Sequence, residues 1–192
     1  MKNKILICVD CQNDFIDGQL GTKEAQAVVP AIVEKIKNFD GQTIIATMDT
    51  HDNDYLNTTE GKKLPVPHCI KGTDGWKINQ KVLDALKARG YETITKRCFT
   101  ATDLFLVLMK YGYDTSYELF EAETRYDTPD ELFEIEIIGL CTDICVISNA
   151  LYLKAMYPDA EITVDSKCCA GVTPEKHEAA LEVMRSCQIN VI

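Results

Sequence analysis

The sequence predicts an α/β fold, a Rossmann-like three-layer α/β/α arrangement around a mostly parallel central sheet, and three observations predict it. Short apolar runs rich in Ile, Val and Leu recur along the chain. Longer stretches with helical apolar spacing lie between them. The two kinds alternate rather than segregate, which implies crossover connections and a sheet covered on both faces. At 192 residues and 46% hydrophobic content, residues 1–192 fit one globular domain of ordinary size.

In chain order, strands are expected near 4–9, 43–48, 92–96, 134–140, 161–164 and 189–192. Helices are expected near 24–38, 78–89, 101–111, 144–156 and 174–187. The first strand, Lys4-Ile5-Leu6-Ile7-Cys8-Val9, is almost wholly apolar, as a strand buried on both faces should be. The last helix carries a start signal, with Pro174 in its first turn and Glu175 behind it. Two stretches depart from the alternation. Residues 49–75 are long, polar and turn-rich, with Pro65, Pro67, Gly72 and Gly75, and suit a binding loop better than a core. In residues 111–130, Tyr113, Tyr117, Phe120 and Tyr126 interleave with Asp114, Glu118, Glu121, Glu123 and Asp127 in a connection longer than usual.

Composition narrows the function classes. A net charge of −10 argues against nucleic acid or an anionic membrane surface, because phosphate binding needs clustered Lys and Arg. The opening apolar run is much shorter than a signal sequence or membrane span, so a cytosolic protein is expected. Nine cysteines, an odd number without disulfide-scaffold spacing, agree with a reducing compartment and free thiols. The expected partner is a small molecule or another copy of the chain.

Strand ends hold the chemistry. Ile137-Ile138-Gly139-Leu140-Cys141-Thr142-Asp143-Ile144-Cys145 reads as a strand that breaks at glycine and delivers Cys145 to a helix start, where unpaired amides would lower the thiol pKa. A cysteine alone is weak evidence, since most free cysteines simply pack. The first strand ends in Asp10 and the third in Lys96. Catalytic groups of parallel sheets gather at the carboxyl ends of strands, so Asp10, Lys96 and Cys145 are expected to converge as a base, a cation and a thiol.

These segments resemble a family. Val9-Asp10-Cys11-Gln12-Asn13-Asp14-Phe15, Lys96 with Phe99, and Gly139-Leu140-Cys141-Thr142-Asp143-Ile144-Cys145-Val146 are similar to the three signature segments of the isochorismatase-like cysteine hydrolases, closest to the nicotinamidase branch. The resemblance implies a Cys-Asp-Lys triad of Cys145, Asp10 and Lys96. It implies a cis peptide between Leu140 and Cys141, aiming the backbone amides of Cys141 and Cys145 at an oxyanion. Phe15 and Phe99 match positions flanking the substrate ring, whereas the aromatic residue expected before Pro67-His68 is replaced by Leu64, Pro65 and Val66. Beside the family's short connection, residues 111–130 look like an insertion serving as a lid, an oligomer contact or a surface feature with no special task.

A fourth segment adds a metal. Met48-Asp49-Thr50-His51, Glu60 and Pro67-His68-Cys69 supply oxygen and nitrogen donors suited to zinc first, or to manganese or iron. Carried over from the nicotinamidases, the ligands are Asp49, His51, Glu60 and His68, with Asp52 and Asp54 as alternatives. The resemblance then implies hydrolysis of a small amide, nicotinamide first, through a Cys145 thioester, in a homo-oligomer. Pyrazinamide-like and carbamoyl substrates stay open. The third histidine, His177, reads as an exposed helix residue. Two rival readings remain: a thiol redox module using Cys8-Val9-Asp10-Cys11, and a catalytically silent, metal-stabilised interaction protein.

Overall fold

β1 (Asn3–Val9) is buried from Ile5 to Val9, and its side chains alternate between two separate hydrophobic cores. Ile5, Ile7 and Val9 join one core, Leu6 and Cys8 the other. That period-two division is what a central strand with helices on both faces requires. The computed structural model describes residues 3–112 and 133–192. The expected insertion at 111–130 lies outside them apart from Tyr111 and Gly112.

The remaining elements follow in order: α1 (Asn13–Ile16), α2 (Lys23–Asn38), β2 (Thr43–Asp49), a 3₁₀ turn (Tyr55–Asn57), α3 (Thr59–Lys63), α4 (Gln80–Arg89), β3 (Glu92–Lys96), α5 (Leu104–Gly112) and β4 (Phe133–Leu140). A π-helical turn (Thr142–Val146) then runs into α6 (Ile147–Met156), followed by β5 (Glu161–Ala170), α7 (Pro174–Ser186) and β6 (Asn190–Val191). The six strands form one sheet in the order β3-β2-β1-β4-β5-β6, every neighbouring pair parallel. This is the doubly wound order, and it reverses between β1 and β4, where the carboxyl ends of the strands open a crevice. α2 and α4 cover one face through Val29, Ile32, Ile36, Val82 and Leu86. α5, α6 and α7 cover the other through Leu104, Leu108, Ala150, Leu153, Leu181 and Met184.

Two boundaries differ from expectation. β5 continues to Ala170 instead of stopping near residue 164. The polar run Asp165-Ser166-Lys167 hid the continuation, but Asp165 is buried and pairs at 2.8 Å with Lys35 of α2, which also reaches Glu136 of β4 at 2.6 Å. The 49–75 stretch is also not purely loop, since the 3₁₀ turn and α3 lie within it. Elements of three to five residues are too short to show a periodicity. Among the described residues, no helix is long and apolar enough to cross a membrane.

Candidate active site

The crevice at the strand ends collects the residues singled out in the sequence. Asp10 follows β1, Asp49 ends β2, Lys96 ends β3, and Cys145 lies in the turn after β4. Lys96 Nζ stands 2.7 Å from Asp10 Oδ2 and donates to Cys145 Sγ at 3.4 Å. A second Lys96 bond, to the Cys98 carbonyl at 3.0 Å, fixes the ammonium from behind. Asp10, Lys96 and Cys145 are all at most 5% exposed. Asp10 adopts φ 45°, which turns its carboxylate off the strand direction and into the crevice. Its Oδ1 accepts from Thr47 Oγ1 at 2.7 Å. The other oxygen is buried without a well-directed hydrogen bond, so the Lys96 charge is what offsets its burial.

Electrostatics corrects one expectation. A helix N-terminus predicts a lowered pKa for Cys145, but burial and the adjacent Asp10 carboxylate push it well above the ordinary thiol value. The residue sits buried inside a π-helical turn, where desolvation disfavours the thiolate and Lys96 opposes the rise. Burial also raises Asp10, against the opposing charge of Lys96, and Asp49 adds to the rise. Lys96 is depressed by burial but raised more by Asp10, Cys145 and Asp49, so it stays an ammonium. The Cys145 and Asp10 shifts both favour the proton-bearing form of the group relative to a free thiol and a free carboxylate.

Gly139 prepares the turn. It has φ 119°, and a Cβ there would collide with the Val9 backbone, so only glycine lets β4 pass this close to β1. The Leu140–Cys141 peptide is cis. Within the turn, Ile144 N and Val146 N both donate to the Cys141 carbonyl, at 3.1 and 3.0 Å. Asn149, fully buried, donates to the carbonyls of Cys145 at 2.7 Å and Phe99 at 3.2 Å and accepts from Ala101 N at 2.8 Å. It ties the nucleophile turn to the segment that follows Lys96.

Beside these groups lies a cluster of metal-ligating type. Ligand atoms of Asp49, His51 and His68 lie within 4.8 Å of one another, and all three residues are buried. Asp49 Oδ2 is 2.9 Å from His51 Nε2 and 3.5 Å from His68 Nε2. Glu60 stands slightly outside that group, with Oε1 3.8 Å from His51 Nε2 and 3.7 Å from His68 Nε2. Of the alternatives, Asp52 pairs with Arg97 on the surface at 3.0 Å, and Asp54 is exposed. The donor set fits a divalent cation. The His68 Nδ1–H donates to the Val66 carbonyl at 2.8 Å, which turns its Nε2 toward Asp49, whose Oδ2 is 3.5 Å away. Burial raises Asp49, but the His51 and His68 bonds and the Lys96 charge outweigh it and hold the carboxyl well below its usual range.

Local pairing explains the convergence of the histidines. His51 N donates to the Cys69 carbonyl at 3.0 Å and Lys71 N to the His51 carbonyl at 2.8 Å, a short parallel bridge. Cys69, at φ 47°, donates its own N–H to Asp14 Oδ2 at 2.7 Å. Several supporting residues carried no role in the sequence reading. Fully buried Gln12 donates to the Asp49 and Trp76 carbonyls and accepts from Asp49 N, each at 2.8 Å. Tyr55 meets His51 and His68 edge-on, with ring centroids at 4.7 and 5.0 Å, and bonds the Leu64 carbonyl at 2.9 Å. Thr47 and Asn149 sit on plain strand and helix positions, where only their burial as polar side chains would have marked them, whereas Gln12 lies between β1 and α1 within the Val9–Phe15 segment.

The other expectations fare unevenly. Phe15 is buried and packs edge-on against His68 at 5.5 Å. Phe99 is 48% exposed, and its carbonyl rather than its ring is tied into the site. His177 is half-buried rather than exposed, and its Nδ1 lies 2.8 Å from Thr142 Oγ1. All nine cysteines are free thiols. Cys8 and Cys11 approach to 3.3 Å, but both are buried, and the Cys8 bond and burial push the Cys11 thiol well above its usual pKa. That is the reverse of a reactive redox pair.

The isochorismatase domain family matches residues 4–192. An isochorismatase family protein of Bacillus subtilis is 30% identical over 93% of this chain and 92% of its own length. The nicotinamidase/pyrazinamidase of Mycobacterium tuberculosis is 26% identical over 98% of each chain. Among solved structures, a nicotinamidase/pyrazinamidase from Bacillus subtilis superposes with a TM-score of 0.79 at 27% identity, covering 100% of this chain and 99% of that one.

Proposed function

The chain belongs to the isochorismatase domain family, and on that premise we propose that it is a metal-dependent cysteine amidohydrolase converting nicotinamide to nicotinic acid and ammonia. One observation carries the reading: Asp10 and Cys145 flank a single ammonium, Lys96, whose other neighbour, Asp49, belongs to the Asp-His-His cluster. A carboxylate, a cation and a thiol are the groups that amide hydrolysis needs, and a metal-ligating set beside them suits a ring with a donor nitrogen. Relatives named for nicotinamide and pyrazinamide hydrolysis support this substrate class.

Each group has a step. As the Cys145 sulfur attacks the amide carbon, its proton passes to Asp10, so charge develops on sulfur only when the bond forms. Lys96 holds both anionic partners in place and offsets the charge on either. The backbone amides of Cys141 and Cys145 receive the carbonyl oxygen as it becomes an oxyanion. Asp10 returns the proton to the leaving nitrogen, ammonia departs, and a thioester remains. Asp10 then takes a proton from water, whose oxygen attacks the thioester. Carboxylic acid is released, and the proton returns to sulfur.

Asp49, His51 and His68, with Glu60 at the margin, would hold the cation, zinc first among divalent ions for this donor set. When bound it supplies an electrophilic anchor for a ring nitrogen, fixing the far end of the substrate. Phe15, and Phe99 from the more exposed side, would flank the ring. We assign the protein to the cytosol, where nicotinamide hydrolysis serves NAD salvage.

The test is ammonia release from nicotinamide and pyrazinamide, with elemental analysis of the same sample. Turnover with stoichiometric divalent metal is expected, and Cys145→Ala should lower it by roughly four orders of magnitude. Undiminished turnover in Cys145→Ala would remove the mechanism.

A further inference from the structure

The nucleophile turn is fastened from outside. Its π-helical geometry departs from the regular α register, and two of its amides share a single carbonyl, that of Cys141. Its shape therefore depends on what grips it. One grip is the start of α7. Thr142 is fully buried, and its Oγ1 lies 2.8 Å from His177 Nδ1. Next to it, Val172 N donates to Asp143 Oδ1 at 2.9 Å. Gly171 permits this approach, since a Cβ there would stand 2.9 Å from both Asp143 Oδ1 and His177 N.

His177 is itself rigidly mounted. Its N–H donates to the Thr173 carbonyl at 3.0 Å, and Thr173 caps the helix by accepting from Lys176 N at 3.3 Å. An imidazole in the first turn of a capped helix thus bonds a buried hydroxyl in the residue after Cys141 and three before Cys145. Nothing in the hydrolytic steps above uses it.

We propose that His177 is a positioning residue: through its bond to the Thr142 hydroxyl it holds the turn so that the backbone amides of Cys141 and Cys145 meet the oxyanion. The inference rests on the amidase reading. Oxyanion donors act over a narrow range, about 2.7–3.1 Å, so slackening the turn by a few tenths of an ångström weakens them chiefly when the oxygen is charged. The effect belongs to kcat and to tetrahedral adducts, not to ground-state binding.

Two variants separate positioning from mere packing. His177→Ala removes the partner of Thr142, whereas His177→Asn places an amide atom near the position of Nδ1. Three quantities are compared with the parent: kcat and KM for nicotinamide, affinity for nicotinaldehyde, whose thiohemiacetal needs the oxyanion donors, and the rate of Cys145 alkylation by iodoacetamide, which does not. His177→Ala should lose about tenfold in kcat and in aldehyde affinity, the scale of one hydrogen bond. KM and alkylation should stay within about twofold, and His177→Asn should recover most of the loss.

Aldehyde affinity and kcat within twofold of the parent in His177→Ala would overturn the proposal, as would a loss that His177→Asn leaves unrecovered. If His177→Ala does not fold, Thr142→Val against Thr142→Ser asks the same question, and equal kcat in those two overturns it. Should the parent bind the aldehyde but release no ammonia from nicotinamide, the substrate reading fails, and the aldehyde comparison alone decides the role of His177.

Discussion

Asp49 Oδ1 lies 3.7 Å from Lys96 Nζ, while Asp49 Oδ2 faces His51 at 2.9 Å. One carboxylate thus faces the Lys96 ammonium with one oxygen and, with the other, the histidines of a cluster that could hold a metal ion. The two halves of the site share a charge, and removing it should be felt in both.

Asp49→Asn is therefore expected to lose bound metal and to lower kcat/KM on the order of 100-fold. His51→Ala should also strip the metal, but it leaves the Asp49 charge beside Lys96. Elemental analysis with steady-state kinetics on both variants checks this. Stoichiometric metal retained in His51→Ala would reject that ligand.

The acid side of the rate profile should report Asp10. Burial raises its pKa, so this carboxyl keeps its proton to higher pH than a free aspartate, whose value is about 3.9. Protonated Asp10 accepts nothing from Cys145, so kcat/KM should fall as pH drops through a midpoint above that value. Thr47→Val removes a hydrogen bond that favours the charged form, and it should move the midpoint further up. A midpoint unchanged between parent and Thr47→Val would count against Asp10 as the base.

Asp10→Asn should abolish turnover and leave metal content intact, because Asp10 touches Lys96 and Thr47 rather than the histidines. A loss of about 10³-fold or more is the scale of a missing proton acceptor. Metal analysis that showed an empty site in this variant would mean that Asp10 had been given the wrong role.

Gly139→Ala should be costly although it adds one methyl group. Its φ of 119° disfavours any side chain, and the new Cβ would meet the Val9 backbone, which cannot yield as a flexible side chain can. A loss of about 2–4 kcal/mol is expected from denaturant unfolding.

Lys35→Met tests the ion-paired patch away from the crevice. It leaves Asp165 and Glu136 without their cation, and about 1–3 kcal/mol should be lost, discounted because a quarter of the Lys35 side chain remains exposed. The folded pKa of Lys35 is raised: burial opposes the charge, but Asp165 and Glu136 outweigh it. The stabilisation is therefore fully present below the ordinary lysine value of about 10.4 and is lost as pH rises beyond it. The difference in unfolding free energy between parent and variant should be flat from pH 7 to about 9.

Much of this was legible along the chain. The alternation of apolar runs with helical spacing specified a parallel sheet, because a strand buried on both faces needs the unbroken apolar run seen in Ile5–Val9. Strand ends then pointed to Asp10, Lys96 and Cys145, since in such sheets the carboxyl ends face one crevice. The end of β5 was not legible, because the charge that pairs with buried Asp165 comes from Lys35, which is remote in sequence. The sequence named Glu60 with Asp52 and Asp54 as alternatives, and the distances of these loop carboxylates from the histidines follow from the Tyr55–Asn57 turn and α3.

The sequence alone determined the fold class and the chemical types gathered at the strand ends, for these follow from local apolar periodicity and from residue identity. Only the tertiary structure decided that burial and Asp10 push the Cys145 thiol pKa up, that Asp49 lies between Lys96 and the histidines, and that His177 reaches Thr142. Burial and distance set charge states and partnerships, and both are properties of chain segments brought together in space rather than of any one segment.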